Sequence, residues 1–548
     1  MEKSIVNQSS TNALRPFVHL HTHTEYSLLD GISKIENLVD KAMADDMPGI
    51  AITDHANMFG IVEFVECVNR KNAERNTNFK PIIGCEVYVA HRGMEHKSER
   101  EDFAGYHLVL LAKNYTGYKN LVKLVSRSWL DGYYGRPRTD HADLKRYHEG
   151  LICCSACIGG EVAQHILNDR LAEAEESAMW YKNLFGDDYY FELHRHKATV
   201  KRANHNTYNL ESRVNAQLLA LSQKLGIKVI CANDAHFVNE EDAEVQDALL
   251  CISWRKKYDD PARLVFSKQE WLKTTAEMNE LFADIPEALD NTIEILNKVE
   301  HYFIDHAPLL PKPIIPKGVD EVEYLARLAF EGAYERYGKP LSAGIKERLK
   351  AELRVINSHR YAPLVLMWHE IVSAARNLGA KMGNDRGFSR NSLLLYCLGI
   401  SQEKPAEFGN AFCDYLINNQ GVPALELEFD KEGRERVLNW IVERYGEQSV
   451  ANIASRSVFT AKTASTGCVQ EEKLVGVLRK MDIHSCGVAF CNRDISEVVP
   501  LAWVESEKNE NAVIVTQYGG NALRRIGVGE LYILTSNTIH DDSAEMAE

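Results

Sequence analysis

Three histidines alternate in the segment VHLHTHTEYSLLDG, which spans residues 18 to 31. In a β-strand His19, His21 and His23 would share one face, because successive side chains point to opposite faces. Two imidazoles on one face can bind one metal ion, and Asp30 follows seven residues after His23. The segment therefore predicts the start of a metal site. His19 is interpreted as a packing or supporting residue, and a ligand role for it is left open.

Further potential ligands lie near the ends of the strands predicted downstream. Short apolar runs alternate with amphipathic helices up to about residue 285, which is typical of a parallel α/β sheet, open or closed into a barrel. In a barrel the carboxyl ends of the strands converge on one face. The candidates near strand ends are His55, Glu86, His107, Cys157, Asp234 and His236.

Nitrogen, oxygen and sulfur donors of these types bind transition divalent metals. Nine candidates are too many for one ion, so the sequence predicts two or three divalent ions, which we expect to be Zn, Mn or Fe. Such clusters catalyse displacement at phosphorus, because the ions neutralise the phosphate and lower the pKa of water. A single histidine near a strand end is more often a hydrogen-bonded core residue, but here that interpretation must hold for all the positions at once.

The composition sets limits on the class of protein. The 548 residues predict two to four domains, and the net charge of −15 argues against a wide basic surface for duplex DNA, but not against a local phosphate site. No apolar run is long enough to span a bilayer, and the first residues lack the pattern of a signal peptide. With 12 cysteines and no secretion signal, we expect reduced thiols, a cytoplasmic location and no membrane partner.

Several of these segments together resemble a known domain. HLHTHTEYSLLDG, ITDH, GCEVYV, HLVLLAKN, SACIGGEV and NDAHF resemble the PHP (polymerase and histidinol phosphatase) domain, in the version found in the alpha subunit of bacterial C-family DNA polymerases. The resemblance implies a distorted (β/α)7 barrel that binds three metals, and a 3′→5′ exonuclease activity where the ligand set is complete. Carried over one by one, the nine ligands are His21, His23, Asp30, His55, Glu86, His107, Cys157, Asp234 and His236.

The resemblance continues, in order, over about residues 15 to 535, and it implies the domain organisation. We expect a PHP domain over residues 1–285 and a linker with a palm-like region over 286–430. A thumb-like helical region over 431–480 and a palm-like remainder with an acidic tail over 481–548 would follow. The predicted fold class is thus α/β, with the barrel followed by a mixed α+β palm-like domain that carries a small helical thumb-like insertion. The proline-rich segment 306–318 is interpreted as the crossing between domains.

The nucleotide loop of the polymerase centre departs from the family pattern. The family loop has the form G-R-G-S-x-x-G-S, whereas residues 385–392 read DRGFSRNS. Phe388 and Asn391 therefore place side chains where the family has a small residue and a glycine. The thumb-like region is also shorter than in the family, and the chain ends where a fingers domain would follow.

The catalytic carboxylates of the polymerase centre differ as well. The family sequence P-D-F-D-V-D-F is here PALELEF, residues 423–429, so that Glu426 and Glu428 replace two metal-binding aspartates. The third aspartate position is occupied by Gly527, with Glu530 three residues further on. We interpret Glu426 and Glu428 as a solvated strand edge, and leave a residual metal or DNA contact open. These departures predict that polymerase activity has been lost.

The predicted function is a metal-dependent 3′→5′ exonuclease acting on a DNA 3′ end or on single-stranded DNA, with a replicative or repair polymerase complex as partner. Its catalytic residues would be Asp30, Glu86, His107 and Asp234. Three alternatives stay open: a polymerase fragment of a split enzyme, a phosphoesterase acting on small phosphomonoesters, and a non-catalytic replication or repair module.

Overall fold

The computed structural model describes residues 14–383, 386–406, 411–418, 421–464, 471–504 and 513–536. The chain forms two compact units. The first comprises Met1–Tyr302 with Arg456–Lys480, and the second comprises Phe303–Ser455 with Met481–Glu548. Within the described ranges, no helix combines the length and the apolar character that crossing a membrane requires. The predicted acidic tail lies outside the described residues.

A seven-stranded mixed sheet forms the centre of the first unit. Its strands are β1 (Gly49–Ile52), β2 (Lys80–Ala90), β3 (Gly105–Ala112), β4 (Arg138–Thr139), β5 (Leu151–Cys154), β6 (Tyr189–Leu193) and β7 (Lys228–Cys231). Their hydrogen-bonded order is β1-β2-β3-β5-β6-β7, and β4 pairs with β2. Strands β1 and β5 are buried at every position, as expected for short apolar strands covered on both faces.

The sheet is only partly parallel. The pairs β1–β2, β5–β6 and β6–β7 are parallel, whereas β3 runs antiparallel to both β2 and β5. The expected parallel sheet is therefore wrong at β3. Residues 91–104 between β2 and β3 contain no α-helix that would carry the chain back for a parallel crossover, so the chain returns antiparallel. The α/β fold class is confirmed.

The opening histidine segment joins the two edges of this sheet. It forms no regular strand, because its only ladder contact is an isolated bridge between Thr22 and Ala235. On one side His19 and Thr22 accept backbone hydrogen bonds from β1 and the residue after it, and on the other His23 donates to Ala235 beyond β7. The segment thus lies between the first and last strands of the hydrogen-bonded order.

Helices cover the sheet of the first unit. They are α1 (Ile35–Ala44), α2 (Ile61–Arg75), α3 (Tyr115–Leu130), α4 (His141–Tyr147), α5 (Glu161–Leu167), α6 (Leu171–Phe185), α7 (Thr207–Leu225), α8 (Ala243–Ser253), α9 (Thr275–Leu281) and α10 (Pro286–Lys298). Ile295 and Leu296 of α10 pack with residues of the sheet in one core cluster. The first unit therefore extends to Tyr302, and the predicted boundary at 285/286 falls inside it.

The second unit contains a six-stranded mixed sheet and its own helical core. The strands are β8 (Leu425–Phe429), β9 (Val450–Val458), β10 (Leu478–Phe490), β11 (Leu501–Val504), β12 (Val513–Thr516) and β13 (Gly529–Thr535), in the order β11-β12-β9-β10-β13-β8. The helices are α11 (Glu321–Tyr337), α12 (Ala343–Ser358), α13 (Ala362–Asn377), α14 (Leu393–Cys397), α15 (Ala411–Asn418), α16 (Lys431–Tyr445) and α18 (Asn521–Arg525).

The region predicted as thumb-like, residues 431–480, is divided between the units. Helix α16 and most of β9 belong to the second unit, whereas Arg456–Lys480, which contains α17 (Ala461–Ala464), belongs to the first. In the first unit, Phe459, Leu474 and Val477 pack in one hydrophobic cluster with Val245 and Leu249 of α8. The described part of this region is therefore a mixture of helix and strand.

Candidate metal centre

His21 and His23 present the same ring nitrogen to one buried site. His21 Nδ1 donates a hydrogen bond to Glu192 Oε2 (2.9 Å), and His23 Nδ1 donates to Ser27 Oγ (2.7 Å), which in turn donates to Asp54. These bonds occupy Nδ1 and leave Nε2 of each ring directed at the site, which is the usual way of orienting a metal-binding histidine. His19 Nε2 bonds to Lys273 O (2.8 Å), and among the described residues His19 belongs to none of the groups of side chains close enough to share an ion.

Glu86 of β2 lies at the centre of the candidate ligands. Its Oε2 lies 2.7 Å from His55 Nδ1, and its Oε1 lies 2.8 Å from His107 Nδ1. The same carboxylate lies 3.5 Å from His21 Nε2 and 3.4 Å from His23 Nε2. One carboxylate, itself fully buried, thus connects four imidazoles.

Asp234 and His236 come from the turn that follows β7. Asp234 has a positive φ of 44°, and its Oδ1 lies 3.3 Å from His21 Nε2 and 3.1 Å from His23 Nε2. The ring of His236 stacks on that of His23 with centroids 4.2 Å apart. The turn thus brings a second carboxylate to the two opening histidines.

Asp30 and Cys157 complete the set. Asp30 Oδ2 lies 3.3 Å from His55 Nε2 and 3.8 Å from His236 Nε2, and Cys157 Sγ lies 3.7 Å from His107 Nδ1. The structure therefore gathers all nine candidate ligands, called the cluster below, at one place. Their assignment as metal ligands stays a prediction.

The buried polar atoms of the cluster fit divalent metal ions. Several of them make no hydrogen bond: His21 Nε2, His23 Nε2, His55 Nδ1, Glu86 Oε2 and Asp234 Oδ1. Buried polar atoms are normally hydrogen-bonded, so these atoms need another partner. Two ligands 2.0–2.2 Å from a tetrahedral ion are about 3.4 Å apart, and the contacts of the two Nε2 atoms with Glu86 and Asp234 span 3.1–3.5 Å.

The charges in the cluster reinforce one another. Burial opposes ionisation of Glu86 and Asp234, but the surrounding histidines hold the pKa of each carboxyl well below its usual value. Burial likewise opposes protonation of His21, but the carboxylates of Asp234, Glu192 and Glu86 raise the pKa of His21 well above the usual value. The carboxylates are therefore ionised at neutral pH, as metal binding requires.

Two residues at the edge of the cluster, Glu192 and His194, were not predicted from the sequence. Glu192 of β6 bonds His21 and also accepts from the backbone N–H of Ala156 (3.1 Å). His194 is buried, neither of its ring nitrogens is hydrogen-bonded, and its Nε2 lies 3.3 Å from Glu192 Oε2. The available signal was the His-x-His spacing of residues 194–196 directly after a strand, the same spacing as in the opening segment.

A cavity of about 690 Å³ opens onto the cluster. Six of the nine candidates line it, whereas His21, His23 and Glu86 lie beneath them, buried from solvent. The side chains of Asp30 and His107 are about one quarter exposed, at 25% and 27%. A substrate entering the cavity would thus meet Asp30, His55, His107, Cys157, Asp234 and His236.

The carboxylates of the palm-like region in the second unit differ from those of the cluster in their partners. Glu428 of β8 is buried and pairs with Arg386 (3.0 Å), and only Glu426 is exposed. The expectation of a solvated strand edge is therefore wrong for Glu428. The register between β8 and β13 places Glu530 on the same face, where Arg524 Nε lies 2.9 Å from its carboxylate. Burial raises the pKa of Glu530 to about 7, although Arg524 opposes the rise.

The substituted loop positions are filled by packing. Phe388 stacks on Tyr415, with ring centroids 4.5 Å apart, and on Phe412 at 5.8 Å. Gly527 has a φ of +81°, and a Cβ there would lie 2.3 Å from Ala307 O, so no aspartate fits at this position. Among the described residues, the second unit has no trio of His, Cys, Asp or Glu side chains close enough to share an ion. The trios found among the described residues all lie in the first unit.

Two regions of the chain match known protein families. Residues 19–196 match the PHP domain, and residues 323–470 match the family described as the bacterial DNA polymerase III alpha NTPase domain. The first match contains seven of the nine candidate ligands, all but Asp234 and His236.

Curated relatives named DNA polymerase III subunit alpha match most of the chain. The protein of Borreliella burgdorferi is 39% identical over 443 residues, which cover 80% of this chain and 37% of the relative. The protein of Campylobacter jejuni is 30% identical over 607 residues, covering 95% of this chain and 49% of the relative. The chain therefore spans less than half the length of each of these relatives.

Proposed function

Because the chain joins a PHP domain to a segment related to bacterial DNA polymerase III alpha subunits, we propose that it is a metal-dependent 3′→5′ exonuclease acting on DNA. In this proposal the chain no longer polymerises nucleotides, and it acts in the cytoplasm within a replication or repair complex. The observation that carries the proposal is the cluster, in which buried and unbonded ligand atoms lie at the spacing that shared metal ions require.

The cluster has the composition needed for phosphodiester hydrolysis. Two or three divalent ions held by the nine side chains would supply Lewis acidity at the phosphate and a lowered pKa for water. Glu86 and Asp234 contribute the buried negative charge that holds the ions, and Glu192 keeps His21 oriented. Of the six members that line the cavity, Asp30 and His107 have side chains about one quarter exposed, which favours them as groups that contact the scissile phosphate.

Hydrolysis of the terminal phosphodiester needs no reactant other than water. Water adds across the terminal phosphodiester: its oxygen bonds to phosphorus, the bond from phosphorus to the O3′ of the preceding nucleotide breaks, and a proton reaches that O3′. The products are a nucleoside 5′-monophosphate and a strand shortened by one nucleotide. Orientation of the phosphate by a rigid, buried cluster is the main contribution of the protein in this account.

Loss of polymerase activity is supported by the second unit. Two-metal nucleotidyl transfer needs carboxylates free to bind ions, whereas Glu428 and Glu530 are each paired with an arginine and only Glu426 is exposed. Phe388 occupies a loop position where the related polymerases have a small residue, and it is fixed by Tyr415 and Phe412. These contacts favour a packing role for this region.

The class of phosphoester is tested with two chromogenic substrates. The full chain, loaded with Mn²⁺, is assayed on the p-nitrophenyl ester of thymidine 5′-monophosphate and on p-nitrophenyl phosphate. We expect hydrolysis of the diester, its loss in Asp234→Asn, and its retention in Asp290→Asn, an exposed aspartate paired with Arg15. Hydrolysis of the monoester alone, or of neither substrate, would contradict the proposal.

A further inference from the structure

Large aromatic side chains are exposed around the cavity that opens onto the cluster. Phe103 is 54% exposed, Tyr133 43% and Trp254 52%, and all three line the cavity. Hydrolysis at phosphorus requires charged ligands and does not require such rings. Exposed apolar groups gathered around one cavity, with a few polar groups at its base, are typical of a ligand-binding site.

The aromatic rings at the end of α3, and Phe103 beside them, are held by their neighbours. The indole Nε1 of Trp129 donates a hydrogen bond to Ala56 O (2.7 Å), and Tyr133 stacks on this indole with centroids 5.7 Å apart. Gly135 has a φ of +69°, and a Cβ there would lie 2.2 Å from the ring of Phe103. A side chain at position 135 would therefore displace Phe103, while Tyr133 is held by its stacking on Trp129.

A positive charge lines the same cavity. Arg136 is exposed and lines the cavity, and its Nη1 donates a hydrogen bond to the hydroxyl of Tyr88 (2.7 Å). The ring of Tyr88 stacks on that of His55, with centroids 5.7 Å apart. The guanidinium is thus fixed one aromatic ring away from a candidate metal ligand, where it can attract a phosphate.

We infer that this cavity binds unpaired bases next to the scissile phosphate, so that the preferred substrate is a single-stranded or frayed 3′ end. The inference rests on the proposed function. A phosphodiester held at the cluster and by Arg136 must place its attached nucleoside in the same cavity, against Phe103, Tyr133 and Trp254. Stacking of bases on aromatic side chains tolerates any base, since each has a π-face. A base paired in a duplex must first leave its partner, which costs free energy.

The test compares strands that differ only in the terminal bases. The full chain with Mn²⁺ is assayed on a 5′-labelled single strand, on the same strand with two abasic 3′-terminal nucleotides, and on the strand paired to its complement. Tyr133→Ala and Trp254→Ala are compared with Phe303→Ala, an exposed phenylalanine of the second unit.

We expect the wild-type protein to cleave the base-bearing single strand faster than the abasic or the paired strand. Each cavity variant should lower the preference for the base-bearing over the abasic strand by about tenfold, and Phe303→Ala should keep it. Cavity variants that keep the wild-type preference would overturn the inference while leaving the proposed function intact. A wild-type protein that cleaves none of the strands would contradict the proposed function, and the inference with it.

Discussion

The histidines of the cluster are connected mainly through the carboxylate oxygens of two residues. Glu86 contacts four histidines, and Asp234 contacts two of the same four. These contacts explain why the pKa values of the carboxyls and of His21 move in opposite directions despite burial. At this scale, removal of one ligand should affect activity far more than folding.

His107 is the candidate ligand whose removal should disturb the fold least, because its side chain is 27% exposed. We predict that His107→Ala lowers phosphodiesterase activity by more than about 100-fold, since it removes a ligand that contacts the substrate. The melting temperature should change by only a few degrees. His91→Ala, an exposed histidine outside the cluster, serves as the control. Full activity of His107→Ala would refute its assignment as a ligand.

Glu192 acts through His21 and not on the substrate. We predict that Glu192→Gln lowers metal affinity by about 10–100-fold, because it removes the charge that orients and polarises the His21 ring. Isothermal titration with Mn²⁺ measures this effect, and saturating metal should restore most of the activity. Glu176→Gln, on the exposed face of α6, is the matched control. An unchanged affinity in Glu192→Gln would mean that His21 needs no such support.

Elements of the first unit position the cluster at strand ends and turns. His55 follows β1, Glu86 lies within β2, His107 within β3 and Asp234 after β7. The segment carrying Asp30 is supported differently: Leu29 and Ile32 pack against the hydrophobic cluster that contains α8 and Phe459. Gln246 of α8 also donates to the Asp30 carbonyl (3.3 Å). The segment Arg456–Lys480 therefore supports a candidate ligand far away in sequence.

Phe459 is the residue that tests this support, since its side chain is only 1% exposed. We predict that Phe459→Ala destabilises the first unit by about 3–5 kcal/mol, through loss of apolar burial and formation of a cavity. Its metal affinity should fall as the Asp30 segment loosens. Urea unfolding and metal titration measure the two effects, with the neighbouring, exposed Val458→Ala as control. Equal stabilities of the two variants would contradict this account.

The connection between β6 and α7 should make stability depend on pH. His196 Nδ1 bonds Glu211 Oε1 (2.6 Å), and although burial opposes protonation, Glu211 raises the pKa of His196 to about 9. This pair stabilises the fold fully below about pH 6.5, the unfolded value, and its contribution is lost as pH rises through 9. We predict that the metal-free protein loses up to about 3 kcal/mol between pH 6.5 and 9.5 relative to His196→Gln. Parallel pH profiles of unfolding in the two proteins would show that His196 is not protonated.

The whole molecule shows which features a sequence can predict and which it cannot. The α/β class and the gathering of His21, His23 and Asp30 with later strand ends followed from spacing and strand alternation, which are local signals. The antiparallel β3 and the burial of Glu428 did not, because strand direction and ion pairing depend on contacts distant in sequence. The membership of Arg456–Lys480 in the first unit is likewise a long-range packing effect.

At the scale of the whole molecule, the contacts in the first unit favour a retained catalytic site, whereas those in the second favour a lost one. The first contains the cluster of nine candidate ligands, several of them with buried unbonded atoms, whereas in the second Glu428 and Glu530 are paired with arginines and Glu426 is exposed. Both belong to a chain that resembles DNA polymerase III alpha subunits over most of its length. The central claim is that nuclease chemistry has been retained without polymerisation.

One assay tests that claim most directly. Purified full chain with Mn²⁺ is incubated with a 5′-labelled primer on a template, with and without the four deoxynucleoside triphosphates, beside the Asp30→Ala variant. We expect that wild type shortens the primer, that Asp30→Ala does not, and that neither protein extends it. Extension of the primer, or shortening that persists in Asp30→Ala, would contradict the account.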